Sequence, residues 1–147
     1  MKEIRIQRND FDPGAEIEAL SSSRGETGAI ASFIGLVRGD DGMIAMTLDY
    51  YPGMSEREIA TRVAEAKKRW PIIAVRVIHR FGRLTPGERI VFVGVASSHR
   101  AAAFHAAEFL MDYLKTQAPF WKLEERPSGN NWVEAKAEDD ESVKRWR

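Results

Sequence analysis

Along the chain the hydrophobic positions switch between alternation, unbroken runs and a helical period, and each switch marks an element. Lys2 to Gln7 alternates, with Ile4 and Ile6 on one face, and predicts a short strand. Asp12-Pro13 supplies a cap and a first helical residue for a short helix through Leu20. Ser21 to Thr27 is a polar break. Gly28 to Arg38 is a near-continuous apolar run, which predicts a strand buried on both faces. Gly39-Asp40-Asp41-Gly42 reads as a turn, and Met43 to Tyr50 as the returning strand. After the break at Tyr51-Pro52-Gly53-Met54, Ser55 and Glu58 form a capping-box pattern that starts a helix. Its buried stripe is Ile59, Val63, Ala66 and Trp70, and Pro71 closes it.

Ile73 to Arg80 predicts another strand, Thr85-Pro86-Gly87-Glu88 a turn, and Arg89 to Ala96 a Val-rich central strand. Ser97-Ser98 then caps a long helix to about Gln117, ended by Pro119. Its expected stripe is Phe104, Ala107, Met111 and Leu114, with Ala103 and Leu110 alongside and Glu108 at the margin. Phe120 to Arg126 and Trp132 to Lys136 read as a hairpin around residues 127–131, and the charged tail from Ala137 as one or two loose helical turns. No repeat or linker interrupts residues 1–147, so a single domain is expected. Hairpins mixed with two long helices predict an α+β fold with a largely antiparallel sheet.

The composition narrows the chemistry. An apolar fraction of 44% fits a globular core. Lys plus Arg and Asp plus Glu balance at 22 each, so no global field favours nucleic acid or an anionic membrane. Any anion site must come from local clustering. With no cysteine, thiolate metal sites and a cysteine nucleophile are excluded. No apolar run approaches the roughly 20 residues of a membrane helix, and Met1-Lys2-Glu3-Ile4 does not resemble a leader, so a cytoplasmic protein is expected.

Cations cluster between His99 and Lys122. At Ser97-Ser98-His99-Arg100 a strand end meets a helix N-terminus, whose free N–H groups and dipole favour an anion, and Arg100 adds a guanidinium fork. The plainer reading is that Ser98 caps the helix while His99 and Arg100 face water. Lys115 continues the apolar stripe four residues after Met111. It either snorkels to water or is partly desolvated and able to bind or protonate a reacting group. Phe120, Lys122 and Glu124 share a strand face, as a solvated ion pair or as the floor of a pocket for a flat heterocycle. Arg38 ends a strand before a tight turn, either reaching solvent or held in a site. His79 reads as structural, and His99 and His105 lack the spacing for a metal site. Phosphate-loop and dinucleotide fingerprints are absent, no Ser-His-Asp arrangement is visible, and Arg38-Gly39-Asp40 is a chance adhesion-like tripeptide.

At these residues the sequence resembles the large, catalytic subunit of molybdopterin synthase. The likeness runs in order through residues 28–136, including Phe33 to Arg38, Tyr51 to Met54, Val77 to Arg80, Ser98 to Arg100, Met111 to Thr116 and Ala118 to Lys122. It implies a hammerhead-like α/β arrangement. The implied reaction puts two sulfurs into cyclic pyranopterin monophosphate, a substrate rather than a cofactor, to make the molybdopterin dithiolene. The implied sulfur donor is a small ubiquitin-like partner with a C-terminal Gly-Gly thiocarboxylate, in an assembly of two large and two small subunits. By position, Lys115 and Lys122 match the family's catalytic lysines. Arg38, His99 and Arg100 match its phosphate and pterin contacts, and Leu36, Val37, Leu123 and Glu124 flank them as pocket-lining residues. Tyr50, where relatives often carry His, and the short turn at 39–42 depart from the pattern near the rim.

Arg100 and Lys115 lie near opposite ends of one helix, separated by roughly 22 Å along its axis. One small substrate cannot touch both within a chain. Two antiparallel copies of the helix about a two-fold axis would join them, so a homodimer with composite sites is expected. The competing readings are a non-catalytic adaptor for a ubiquitin-like tail and an unrelated enzyme acting on a phosphorylated heterocycle.

Overall fold

The structure, a computed structural model, describes residues 2–21, 25–116, 120–133 and 137–147. Its elements are β1 (Ile4–Gln7), α1 (Pro13–Leu20), β2 (Ala29–Leu36), β3 (Ala45–Tyr50), α2 (Met54–Arg69) and β4 (Ile72–Arg80). They continue with β5 (Gly82–Leu84), β6 (Arg89–Ser97), α3 (Arg100–Thr116), β7 (Phe120–Arg126), β8 (Gly129–Val133) and α4 (Ala137–Lys144). The α+β expectation holds, with the strands divided between two sheets. The first has the order β1-β4-β6-β2 and the second β5-β3-β7-β8. Every pairing is antiparallel except β1 against β4.

Helices cover both faces of the first sheet, which is why β4 and β6 are apolar at successive positions. On one face, Ile59, Val63 and Ala66 of α2 and Ala103, Ala106, Phe109 and Leu110 of α3 pack over Val77 and Val93. On the other, Leu20 of α1 and Phe11 cover Ile78 and Phe92. Truncating Phe109, fully buried in this core, is expected to cost about 3–5 kcal/mol. A third cluster, Val37, Met43, Met46, Leu48 and Leu84, ties the inner face of the second sheet to the end of β2.

Several local expectations change. The run from Gly28 to Arg38 is not buried on both faces: β2 is an edge strand, and Phe33, Ile34 and Leu36 are exposed. Ala31 packs into the α2–α3 side and Ile30 against the α1 side, but Phe33, Ile34 and Leu36, on the half of the strand farther along, stay in water. The helix after Tyr51 starts at Met54 rather than after Ser55. Glu56 accepts from the Gly53 N–H at 2.9 Å, while buried Ser55 Oγ accepts from the Tyr51 N–H. Gly53 is the residue that can take the positive φ of 87° there. On α3 the stripe is rotated. Phe104 is 63% exposed, and Ala102, Ala106, Phe109 and Tyr113 take the buried side beside Ala103, Ala107, Leu110 and Met111. The β7–β8 hairpin turns on Pro127-Ser128 alone, since Arg126 already pairs with Gly129.

The tail is docked rather than loose. Val143 is buried, and the Trp146 ring meets Trp70 and Phe109 edge-on, each at 5.6 Å. Trp146 Nε1–H donates to Asp112, and Arg145 pairs with Glu108 and Asp112. The expected helix end at Gln117 and Pro119, and the hairpin end at 134–136, lie outside the described residues.

Candidate active site

The strand register maps the candidate residues onto two ends of the first sheet. At one end, His79 of β4 pairs with Val91 of β6, which pairs with Gly35 of β2. Arg38 follows just beyond this end of β2. At the other end, Ile72, Ser97 and Ala29 align, and His99 and Arg100 follow directly from β6. The six residue steps from Ala29 to Gly35 span roughly 20 Å.

The first end gathers the lysines. Lys115 lies in the last turn of α3 and is exposed, so burial within one chain does not desolvate it. Lys122 is half-buried on β7, opposite Leu48, on the face that looks toward the first sheet. Both ammonium charges reach His79, which is buried. Burial pushes the His79 pKa down from its ordinary 6.5 to about 4, and the two lysines add to that, while its bond to the Arg80 carbonyl opposes it. The imidazole is therefore neutral at physiological pH, and Nδ1–H donates to Arg80 O at 2.8 Å. Phe120, read either as part of a solvated strand edge or as the floor of a pocket for a heterocycle, has one ring face covered by the His79 ring, 3.8 Å away at 13°. Glu124 pairs with Arg126 rather than with Lys122.

The rim residues are disposed unevenly. Leu36 is exposed, Val37 is buried in the third cluster, and Leu123 is half-buried. Arg38 is mostly in solvent, with its Nε 3.4 Å from Asp40. The structure thus brings Lys115 and Lys122 together with Arg38 at their end of the sheet, and leaves His99 and Arg100 at the other. Ordinary helix periodicity cannot join Lys115 to His79, because their proximity depends on which strands pair.

The second end is open. His99 and Arg100 are exposed at the start of α3. The expected Ser97-Ser98 cap is not formed on the first helical turn, which begins at Arg100. Ser97 Oγ lies 3.5 Å from the His99 N–H and donates to Pro71 O at 2.7 Å. Gly28 runs tightly beneath this turn: a Cβ there would sit 2.1 Å from the Ser98 carbonyl oxygen. No cluster of His, Asp or Glu among the described residues is arranged to hold a metal. None of their helices is long and apolar enough to cross a membrane.

The MoaE protein family model matches residues 6–117. The molybdopterin synthase catalytic subunit of Mesorhizobium japonicum is 54% identical, over 98% of this chain and 92% of that one. Among solved structures, the molybdopterin biosynthesis MoaE protein of Burkholderia ambifaria superposes with a TM-score of 0.85 at 50% identity, covering 99% and 98% of the two chains. A protein–protein complex of subunits 1 and 2 of molybdopterin-converting factor from Helicobacter pylori shares the fold, with a TM-score of 0.78 at 18% identity and 92% coverage of each chain. The chain belongs to the MoaE family, the catalytic subunits of molybdopterin synthase.

Proposed function

We propose that Lys115 and Lys122 carry sulfur transfer from the thiocarboxylate of a small ubiquitin-like partner to cyclic pyranopterin monophosphate. The observation that carries this reading is their convergence beside His79, from a helix end and a strand, at the Arg38 end of the first sheet. An anionic thiocarboxylate and an anionic phosphate both need cationic partners. Two ammonium groups next to a neutral ring supply them. The lysines would offset charge on the attacking sulfur and the departing oxygens, or move protons. Arg38, with Leu36, Val37, Leu123 and Glu124 around it, would hold the pterin at the rim. The pterin enters as substrate, and the reading needs no resident cofactor or metal. The setting would be the cytoplasm.

His99 and Arg100 enter this reading through a second copy. The outer edge of β2 is apolar, and among the described residues no strand pairs with it. Such an edge is a template for pairing. A two-fold axis between Ser32 and Phe33 would set Leu36 of one copy opposite Ala29 of the other. That pairing would carry the second copy's His99 and Arg100 toward Arg38 and the lysines. Because α3 packs along β2, it would also run the two α3 helices antiparallel. Sheet register and helix length therefore favour the same homodimer, with one carrier subunit for each composite site. The known subunit complex of the Helicobacter pylori relative supports a partner of this kind.

The test is to incubate the chain with a thiocarboxylated carrier and the pterin precursor and assay for dithiolene. Product that is lost in Lys115→Ala, with carrier binding retained, is the expected result. Carrier binding without product would leave an adaptor; near-wild-type turnover in both single lysine variants would refute the assigned roles.

A further inference from the structure

His79 is buried in the wall behind the lysines, yet nothing in the reaction as described uses it. Its surroundings are unusually restrictive for a strand residue. The ring lies parallel to Phe120 with centroids 3.8 Å apart, and Tyr50 flanks Phe120 with centroids at 6.3 Å. In the plane of the imidazole, Nδ1–H is tied to the Arg80 carbonyl. That segment is itself held, because the buried Arg80 donates to the carbonyls of Arg8 and Arg89 and pairs with Glu88. Among the described residues, the charged groups that reach His79 are Lys115 from α3 and Lys122 from β7.

Phe120 is the first residue of β7, and Lys122 follows two positions later on the same face. Lys115 is the next-to-last residue of α3. Where the chain enters β7 therefore decides where Lys122 stands relative to Lys115, and Phe120 is the anchor at that entry. We propose that His79 is a positioning residue: stacked on Phe120 and fixed by the Arg80 carbonyl, it sets Lys122 against Lys115. Its neutrality matters as well, since a charged ring at this place would repel both ammonium groups. The imidazole combines a flat stacking face with one donor for Arg80, and an aliphatic side chain supplies neither.

The test is a double-mutant cycle on turnover, and it rests on the sulfur-transfer reading above. His79→Ala and Phe120→Ala should each lower kcat about 100-fold, the scale of an ångström-level misplacement, with KM for the pterin nearly unchanged. The double variant should be no worse than either single one, because both break the same stack. His79→Phe, which keeps a flat ring, should recover most of kcat. Additive losses, an unaffected kcat in His79→Ala, or a Phe variant as impaired as the Ala variant would overturn the proposal. If His79→Ala does not fold, Phe120→Leu in the wild-type and His79→Leu backgrounds gives the same comparison: a loss that shrinks in the His79→Leu background, where no flat ring is left to stack on, supports coupling, and equal losses refute it. Wild-type protein that makes no dithiolene refutes the sulfur-transfer reading instead, whatever the variants do.

Discussion

The two ends of α3 are built in opposite ways. Its C-terminal end is backed by structure: Lys115 stands with Lys122 before a buried His79, a stacked Phe120 and an anchored Arg80. Its N-terminal end is open, with His99 and Arg100 exposed. Cations that must meet one small anion need a rigid backing, because side-chain entropy otherwise opposes convergence. The backed end can hold its two lysines in place by itself. The open end has cations but no second wall, and under the proposed pairing that wall is another copy of the chain. Under that pairing one helix would serve two sites, and the contrast between its ends is what the proposed dimer accounts for.

The largest effect should come from the backed end. Lys115→Ala or Lys122→Ala is expected to lower turnover by about 100-fold or more, while calorimetric binding of the carrier changes little. Next comes the relation between the ends. Arg100→Ala and Lys115→Ala chains, each inactive alone, should regain about a quarter of wild-type activity after random mixing, since half the dimers are mixed and each has one intact site. Persistent inactivity, with mixed dimers detected by mass spectrometry, would mean that the two ends never share a substrate. A smaller disruption is Ile34→Lys on the exposed β2 edge, which should shift sedimentation toward monomer and lower turnover in step with dissociation. A dimer that persists would place the interface elsewhere.

The two weakest effects concern stability. Between pH 6.5 and about 4 the unfolded chain binds a proton at His79 that the folded chain refuses. Acid therefore destabilises the fold across that window, by roughly 3 kcal/mol at most from this residue. His79→Phe should flatten the slope in chemical denaturation measured between those limits. Asp10, held low by its bond from Arg89, and Glu88, held low by the Thr85 N–H, lose their stabilising charge at still lower pH and leave a residual slope. An unchanged slope in the variant would show that the imidazole is not buried neutral. Trp146→Ala removes two edge-on ring contacts and the bond to Asp112 from the half-buried tail. It should cost roughly 2 kcal/mol in denaturant unfolding with turnover nearly unchanged, since it leaves the backing of the lysines intact. A turnover loss matching the stability loss would tie α4 to the site.

Much was legible from local pattern alone. The α1 cap at Asp12, the α2 stripe and the β4 and β6 runs are local consequences of side-chain period and backbone chemistry, and they stand where they were expected. The lysines, Arg38, His99 and Arg100 stand out in the sequence as charges in places that want a reason, and the resemblance to one family implies a reason. What the sequence could not supply was proximity. His79 is 36 positions before Lys115 and 43 before Lys122, and only the pairing of β4 with β6 and the return of β7 across β3 put them together. The rotation of Phe104 out of the α3 core had the same origin: Ala, Phe and Leu are crowded enough on that helix to define more than one apolar face, and the sheet chose between them. The β2 run marks the boundary between the two kinds of information. Its apolar side chains carry a preference to leave water wherever they stand, yet Phe33, Ile34 and Leu36 are exposed in the single chain. Which of them the fold buries and which it leaves at the edge is a question of shape, and shape exists only once the chain has folded.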